Sequence, residues 1–473
     1  MRDGGIIQGE AAFGGARVVN FVRLADDGDG QPLHERLYRR IRTLIVSGAL
    51  AHGSKLAPSR VLAEQLGISR NSVLNAIDRL VADGWLEARR GSGVYVAYAG
   101  AARSGRTQPE PPMRKTEAIP FKSGVPPLDL FPIDIWNRLQ TRLWRNMPQA
   151  GLLEGQTAGQ PALRQAIAAH LAAARGFDCS PDQIVVTSSM ATGLDLTVRA
   201  LGLAGTTAWV EDPGYGGTKQ ALHNGGMQLM PVPVDEEGFD IDTALRMGGA
   251  ARAALVMPVA QFPMGAMLSR RRREALLAWA LANNAWVLED DSGWNDALAT
   301  PERPLAAGAA ANVIYLSSFN YTLFPALRIA YMVLPPELVD RFIAVRRGLD
   351  AYTNVPNQMI LADFLDGGYF DDHLHRCRAA LAERRGELLE ILARRLGHVL
   401  VPRQTKGSSH LVCDLLGLDE EGFGVKATAQ GIAVKQMRRL RLIAGGPSQV
   451  MLGYAFPPAA IRQAAETLAD AFA

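Results

Sequence analysis

The first regular pattern along the chain is that of an amphipathic helix. Leu33, Leu37, Ile41, Leu44 and Ile45 recur at helical spacing with polar residues between them. Because a helix turns once every 3.6 residues, these side chains fall on one face. The pattern predicts a helix that begins near residue 33 and ends in the glycine-containing turn at 48–53.

Two further helices are predicted directly after this turn. One covers residues 60–66 with Ser59 as its N-cap, and the other begins after Ser69 and runs to about Asp83. The last helix has an apolar side made of Val73, Ala76, Ile77 and Leu80. Its opposite side is polar and ends in Arg79, so one face is expected to pack and the other to stay in solvent.

A basic hairpin is predicted after the third helix. Apolar residues occupy the short runs 85–88 and 94–97, and the turn between them contains Arg89, Arg90 and glycine. Such runs around a glycine-rich turn are typical of two paired strands. Three helices followed by a basic hairpin predict a winged helix-turn-helix domain.

Beyond residue 118 the pattern changes to short apolar runs that alternate with helical periodicity. Helices such as 162–175 and 270–283 lie between the runs. This alternation predicts an α/β fold with a mainly parallel sheet and helices on both faces. A long helix over 370–396 and a strand over 410–415 predict a smaller α+β subdomain at the C-terminal end. The predicted strands are 184–187, 207–210, 228–232, 253–257, 285–288, 313–316 and 329–334.

Composition shifts place the expected boundaries between these parts. Residues 1–30 are rich in glycine and aspartate and predict a flexible tail, and 31–98 form the winged helix-turn-helix. Residues 99–117 carry glycine, serine and several prolines without apolar periodicity, which indicates an interdomain linker. The remaining segment, 118–473, is the large α/β domain.

Overall charge and composition narrow the functional classes only a little. A hydrophobic fraction of 48% with 21% charged residues is ordinary for a soluble globular protein of 473 residues. The net charge is only +3, so any nucleic-acid surface must be local. The three cysteines lack metal-ligand spacing and indicate neither a metal site nor a disulfide framework. Because no apolar signal core or membrane-length run occurs, we expect a cytoplasmic protein without a membrane partner.

The N-terminal motifs resemble a known DNA-binding head. Leu-x-Pro-Ser-Arg at 56–60, the segment 63–73 and the segment 83–93 resemble the GntR-type head, which implies double-stranded operator DNA as a partner. Arg70 and Asn71 can each offer two hydrogen bonds to a base edge. The expected backbone and wing contacts come from Ser59, Arg60, Ser69, Ser72, Arg89 and Arg90. The alternative, a small helical domain with a solvated basic face, stays open.

One segment of the large domain decides the expected chemistry. Residues 317–328 read Ser-Ser-Phe-Asn-Tyr-Thr-Leu-Phe-Pro-Ala-Leu-Arg and resemble the cofactor-lysine motif of aspartate-aminotransferase-like proteins, in the form found in MocR/GabR regulators. Motifs around 184–188, 211–215, 258–265 and 288–291 keep the family order, which implies an aspartate-aminotransferase-like domain of PLP fold type I. Tyr321 stands where that family has the lysine. Because a phenol cannot form an imine with pyridoxal phosphate, covalent cofactor binding is not expected.

The resemblance also implies roles for the residues around this segment. Asp290 matches the partner of the cofactor's pyridine nitrogen, Tyr215 the aromatic side chain on its ring, and Arg328 an arginine near its phosphate. Ser292 and Ala260 replace polar family residues. In addition, Ser189 belongs to a Ser-Met-Ala turn in place of the usual phosphate-cradling turn. We expect these residues to form a vestigial cofactor or effector pocket, and His410 is a candidate for the side of the pocket formed by the small subdomain.

The sequence therefore predicts a DNA-binding transcriptional regulator with a non-catalytic effector domain. The resemblance implies a head-to-tail homodimer, and the effector is an unknown small molecule. Three alternatives stay open: a regulator that holds pyridoxal phosphate noncovalently through Asp290, Tyr215 and Arg328, an active aminotransferase with a DNA-binding head, and an architectural repressor whose large domain only dimerises. Divergence at Asn320 and other positions favours natural drift at Tyr321 over an engineered substitution.

Overall fold

The computed structural model describes residues 32–98, 119–147, 149–248, 250–293, 302–308, 312–404 and 409–472. The predicted tail, 1–30, and the predicted linker, 99–117, lie outside these ranges. The chain divides into two compact units, Met1–Lys115 and Thr116–Ala473. Each unit has a core of its own, and each is described by itself.

The first unit is a winged helix-turn-helix, as the sequence predicted. Helices α1 (Leu33–Val46), α2 (Ser59–Leu66) and α3 (Arg70–Ala82) precede the antiparallel hairpin of β1 (Leu86–Arg89) and β2 (Gly93–Val96). The apolar faces of α1 and α3 meet in the core, which also buries one side of the hairpin. Burying one apolar stripe per helix leaves the polar starts of α2 and α3 facing solvent.

Local details of this unit differ from the sequence predictions. Ser59 is the first helical residue of α2 rather than its cap, because Pro58 occupies the N-cap position. Ser69 does cap α3, since its side chain accepts a hydrogen bond from the Ser72 backbone N–H. The hairpin strands lie about one residue from their predicted positions, so Arg89 belongs to β1 and pairs in register with Gly93.

The second unit is built on a mixed sheet of mostly parallel strands. The sheet order is β3-β10-β9-β8-β7-β4-β5-β6, in which β4, β5, β7, β8 and β9 run parallel while β10 is antiparallel to β3 and β9. The strand bounds are β3 Ile184–Thr187, β4 Thr207–Asp212, β5 Gln228–Asp235, β6 Gly238–Phe239, β7 Ala251–Val256, β8 Trp286–Asp290, β9 Val313–Ser318 and β10 Ala330–Val333. This architecture confirms the predicted α/β fold.

Helices cover the sheet and extend into the C-terminal subdomain. Large apolar clusters on either side of the sheet consist of helix side chains packed on strand side chains, which gives the parallel strands their nearly continuous burial. The helix bounds are α4 Ile133–Arg145, α5 Ala150–Leu153, α6 Pro161–Arg175, α7 Met190–Leu201, α8 Gly216–Asn224, α9 Ile241–Met247, α10 Arg270–Ala282, α11 Val339–Arg347, α12 Val355–Asp366, α13 Tyr369–Arg395, α14 Glu420–Ala429 and α15 Pro458–Ala471.

The predicted C-terminal subdomain is an antiparallel sheet with helices against it. Its strands are β11 (Leu400–Pro402), β12 (His410–Leu415), β13 (Lys435–Gln436) and β14 (Gln449–Gly453), in the order β11-β12-β14-β13. A separate apolar cluster joins this sheet to α13 and α15. Within the described ranges, no helix combines the length and apolar character needed to cross a membrane.

Candidate DNA-binding surface and effector cavity

The starts of α2 and α3 lie side by side on the surface of the first unit. The Arg70 Nε–H donates to Ser59 Oγ at 3.4 Å, which links the first turns of the two helices. Ser69 Oγ accepts from the Ser72 backbone N–H at 3.1 Å, and Asn71 is exposed between them. With Arg60 in the first turn of α2, six of the eight predicted DNA contacts lie at two adjacent helix N-termini, where free N–H groups favour an anion such as a phosphate.

Two arginines of α2 and α3, both predicted on the polar side of the head, differ in their contacts. Arg60 is exposed in the first turn of α2, near the same helix start. Arg79, which the sequence placed on the polar face of α3, forms an ion pair with Glu35 of α1. Its guanidinium also lies 4.6 Å from the centre of the Tyr38 ring. Arg79 therefore ties α3 to α1.

The two arginines of the wing also differ in their neighbours. The Arg89 Nε–H donates to Glu87 at 2.6 Å, and the guanidinium lies 4.5 Å from the centre of the Tyr95 ring. Arg90 is exposed in the turn and has no hydrogen-bond or ion-pair partner among the residues that the structure describes. Of the two, Arg90 is the better placed to reach a phosphate, because no carboxylate holds it.

The second unit contains a cavity of about 240 Å³ at the carboxyl ends of β4, β7 and β8. Parallel α/β sheets commonly bind ligands at this edge. Of the predicted pocket residues, Tyr215, Asp290, Tyr321, Ser292 and Ala260 line it, whereas Ser189 and Arg328 do not. The other lining residues are Ser123, Gly124, Val125, Met190, Thr218, Met257, Phe262, Gly293, Ser409, His410 and Lys435.

Tyr321 contributes a neutral phenol to this cavity. Its hydroxyl lies 2.6 Å from the Tyr215 hydroxyl, and the two rings meet edge to face. Burial and this hydrogen bond raise the pKa of Tyr321 above its usual value, so the side chain stays protonated at neutral pH. Asn320 positions the loop, since its side-chain oxygen accepts from the Ile329 N–H at 2.8 Å.

Asp290 is a buried carboxylate without a cationic partner in the described part of the chain. It is only 5% exposed, and it accepts a hydrogen bond from the Ser292 backbone N–H at 3.0 Å. Burial raises the pKa of Asp290 to about 6, partly offset by the Ser292 hydrogen bonding. A ligand that brings a protonated nitrogen to Asp290 would stabilise its charged form.

Neighbouring buried charges fix the end of β8 and thereby hold Asp290 in place. The next residue, Asp291, receives two hydrogen bonds from the Arg175 guanidinium, at 2.9 and 3.0 Å, and one from the Tyr315 hydroxyl at 2.9 Å. Glu289, on the other side, accepts the backbone N–H groups of residues 305 and 306. Both flanking carboxylates are therefore satisfied internally, unlike Asp290.

The small subdomain closes the cavity with His410 and Lys435. The His410 Nε2–H donates to the Pro263 carbonyl at 2.8 Å, and burial lowers the pKa of His410 to about 4, which keeps the ring neutral. The ammonium group of Lys435 lies 5.4 Å from the centre of the Phe262 ring. Burial alone lowers its pKa, and no carboxylate among the described residues forms an ion pair with it.

Family comparisons agree with both halves of this structure. The model for bacterial regulatory proteins of the gntR family matches residues 33–96, and the model for aminotransferase class I and II matches residues 116–466. The probable rhizopine catabolism regulatory protein MocR of Rhizobium meliloti is 33% identical over 93% of this chain and 94% of its own length. This chain belongs to the MocR family of helix-turn-helix regulators.

Another helix-turn-helix regulator and solved aminotransferases are also similar to this chain. The pyridoxine biosynthesis regulator PdxR of Corynebacterium glutamicum is 31% identical and covers 80% of this chain and 83% of its own. The α-aminoadipate aminotransferase LysN of Thermus thermophilus, solved with N-(5'-phosphopyridoxyl)-L-leucine, has a TM-score of 0.68 at 26% identity. That match covers 75% of this chain and 91% of LysN, so the second unit has an aminotransferase fold.

The cavity of this MocR-family chain fits pyridoxal phosphate only at one end. Asp290 suits a protonated ring nitrogen. At the start of α7, however, Ser189 Oγ already accepts the Thr192 N–H at 3.1 Å, and Met190 is the residue that lines the cavity. Arg328 is exposed and outside the lining. Apart from Lys435, the described lining residues therefore carry no cation for a phosphate group, and Tyr321 offers no amine for an imine.

Sequence reasoning missed Lys435 as a cavity residue. Of the lysines in the described ranges, it is the one that lines the cavity, and it lies on a strand of two residues that is too short to leave a periodic pattern. Lys219 lies in the neighbouring α8, but its ammonium is bound to the Leu440 carbonyl at 2.8 Å and to Asp212 at 3.3 Å. Lys435 contacts the aromatic ring of Phe262, but the two residues are far apart in sequence, so a sequence motif could not have revealed this contact.

Proposed function

We propose that this protein is a sequence-specific DNA-binding transcriptional regulator whose aminotransferase-like unit binds a small effector without catalysing transamination. The observation that carries the second half is the phenol of Tyr321, hydrogen-bonded to Tyr215, at the position that the motif assigns to the cofactor lysine. Transamination needs a primary amine there to form the imine and to move protons. A protonated phenol does neither.

The first half of the proposal rests on the geometry of the head. Arg70 and Asn71 stand exposed at the start of α3, the helix that enters the major groove in helix-turn-helix proteins. The helix starts around Ser59 and Ser69 supply N–H groups for phosphates, and Arg90 extends from the wing. We propose a homodimer that contacts two half-sites, with the head-to-tail arrangement as part of this proposal.

A second candidate, noncovalent binding of pyridoxal phosphate, is supported by the buried carboxylate of Asp290, which forms no ion pair with any described residue. In this variant the ring nitrogen would meet Asp290 and the ring would lie near Tyr215. The cofactor's chemistry, electron withdrawal from an amine-bearing substrate, would remain unused because Tyr321 supplies no amine. The protein would then respond to the cofactor as a ligand.

The test separates regulation from catalysis. Operators are selected from random duplex DNA with the purified full chain, and affinities are measured by fluorescence anisotropy at two salt concentrations. We expect sequence-specific binding and no amino-group transfer from a panel of amino acids to an oxo acid in the presence of pyridoxal phosphate. Selection of no preferred sequence would contradict the first half, and measurable transfer would contradict the second.

A further inference from the structure

A third extended segment lies at the edge of the wing in the first unit. The backbone of residues 54–56 pairs with β2 through hydrogen bonds of 2.8 and 2.9 Å, and Lys55 is the partner of Tyr95 in this pairing. Leu56 and Val96 are buried in the core of the unit. Because successive side chains of a strand point to opposite faces, Lys55 and Tyr95 lie on the outward face. The wing therefore includes a lysine from the segment that leads into α2.

The side chain of Lys55 runs along this outward face toward the hairpin turn. A Cβ atom at Gly93 would lie 2.9 Å from Lys55 Cε and 3.7 Å from its Nζ, so the lysine packs over a residue that has no side chain. Gly93 is the first residue of β2 and directly follows the turn that contains Arg90. The Lys55 ammonium thus lies beside the tip of the wing.

The Tyr95 ring contacts two cationic side chains. Its centre lies 5.8 Å from the Lys55 ammonium and 4.5 Å from the Arg89 guanidinium. The Tyr95 hydroxyl lies 2.7 Å from the Ser92 hydroxyl, which ties the ring to the turn. An aromatic face attracts a cation without neutralising it, because a quadrupole carries no net charge. Arg89 also pairs with Glu87, which offsets its charge, whereas the ring leaves the charge of Lys55 intact.

Resting on the proposed function, we infer that Lys55 binds a backbone phosphate of duplex DNA beside the wing, and that Tyr95 is the positioning residue that holds its ammonium there. Lys55 lies four residues before Ser59, the first residue of α2, and pairs with β2. It therefore joins the two parts of the head that the proposed function places on DNA. Because an ammonium is a point charge and a phosphate contact carries no sequence information, Lys55 adds affinity and salt dependence without sequence preference.

The salt dependence of binding distinguishes a phosphate contact from mere packing against the wing. Each ammonium that neutralises a phosphate releases about one counterion from the DNA. Affinities of the full chain are measured by fluorescence anisotropy over about 50–200 mM salt, on the selected operator and on a duplex of scrambled sequence. The variants are Lys55→Met, Lys55→Arg and the control Arg40→Met. Arg40 is a matched control, because it is an exposed cation of the same unit that lies on α1, outside the wing.

Lys55→Met keeps most of the apolar stem and removes the charge. It should weaken binding to both duplexes by the same factor, about 3- to 10-fold, and reduce the slope of log K against log salt concentration by about one. Lys55→Arg should keep the wild-type slope, because the positive charge remains. Arg40→Met should also keep it. A lysine that only packs against the wing would leave the slope of Lys55→Met at the wild-type value.

Two further variants test the role of Tyr95. Tyr95→Phe removes the hydroxyl beside Ser92 and keeps the ring, so it should keep the wild-type slope. Tyr95→Leu removes the aromatic face that holds the ammonium, so it should reduce the slope by about one. Adding Lys55→Met to Tyr95→Leu should then change the slope no further. A ring that serves only in folding would lower the melting temperature of Tyr95→Leu and leave the slope unchanged.

Three results would overturn the inference. Lys55→Met with the wild-type slope would contradict the phosphate contact, and a loss of affinity confined to the operator would contradict its independence of sequence. Tyr95→Leu with the wild-type slope would contradict the positioning role. The scrambled duplex separates this inference from the proposed function. Failure of the wild type to prefer any sequence would contradict the regulator, whereas the slope of Lys55→Met on the scrambled duplex still tests the phosphate contact.

Discussion

Replacing Asp290 with asparagine should stabilise the ligand-free protein at alkaline pH. The carboxylate is buried, and its hydrogen bonding from Ser292 does not compensate for the loss of water around its charge. An asparagine keeps the size of the side chain and can still accept the Ser292 N–H through its carbonyl oxygen. The substitution therefore removes the charge and little else.

The size of this effect follows from the pKa of the carboxyl group. Folding raises the pKa of Asp290 from 3.8 to about 6. One pH unit corresponds to about 1.4 kcal/mol, so the charged form lowers the free energy of unfolding by about 3 kcal/mol at pH 8. Because the folded protein binds this proton more tightly than the unfolded chain does, the penalty falls as the pH is lowered through 6 and vanishes below about 4. At pH 5 it should be roughly half its full size.

Calorimetric unfolding of wild type and Asp290→Asn at pH 8 and pH 5 measures this difference. The variant should unfold a few degrees higher at pH 8, with a smaller gain at pH 5. Asp178→Asn is the control, because Asp178 is exposed in the loop after α6, and it should leave both values unchanged. A variant that is less stable than wild type at pH 8, or a gain that is independent of pH, would refute the reasoning.

Three further predictions test the head, the cavity and the core. In anisotropy titrations, Arg70→Ala should reduce the difference in binding free energy between the operator and a mutated operator by about 1–3 kcal/mol. Arg90→Ala should weaken binding to all duplexes alike and reduce the slope of log K against log salt concentration by about one. Tyr321→Lys should form a borohydride-reducible pyridoxal phosphate adduct that peptide mapping locates at residue 321; its absence would show that the cavity excludes the cofactor. Arg175→Met should reduce the free energy of unfolding by about 3–5 kcal/mol, measured by urea denaturation, because the buried Asp291 carboxylate loses its ion pair and keeps the hydrogen bond from Tyr315.

Periodicity in the sequence was sufficient for the architecture. The predicted strands 184–187 and 410–415 coincide with β3 and β12, and the predicted helix 370–396 differs from α13 by one residue at each end. These elements are long or fully buried, so their apolar spacing reflects a single packing arrangement. Ser69 was correctly identified as the cap of α3, whereas Ser59 is not the cap of α2, because Pro58 occupies that position.

The neighbours of individual side chains could be determined only from the tertiary structure. Arg79 has the same spacing as the exposed residues of α3, yet Glu35 and Tyr38 of α1 hold it. Arg328 ends the motif of residues 317–328 but is exposed and does not line the cavity. Sequence spacing specifies which face of an element a side chain occupies and not which neighbour lies opposite it.

The chemistry of the cavity shows the same division between sequence and structure. The sequence by itself determined that Tyr321 brings a phenol and no amine into the motif, because bond-forming capacity belongs to the residue type. Only the fold decided that Asp290 and Lys435, 145 positions apart, line one cavity, where neither forms an ion pair with a described residue. Whether a charge is paired depends on distances across elements that are remote in sequence, and these distances exist only after the sheet and the small subdomain have packed together.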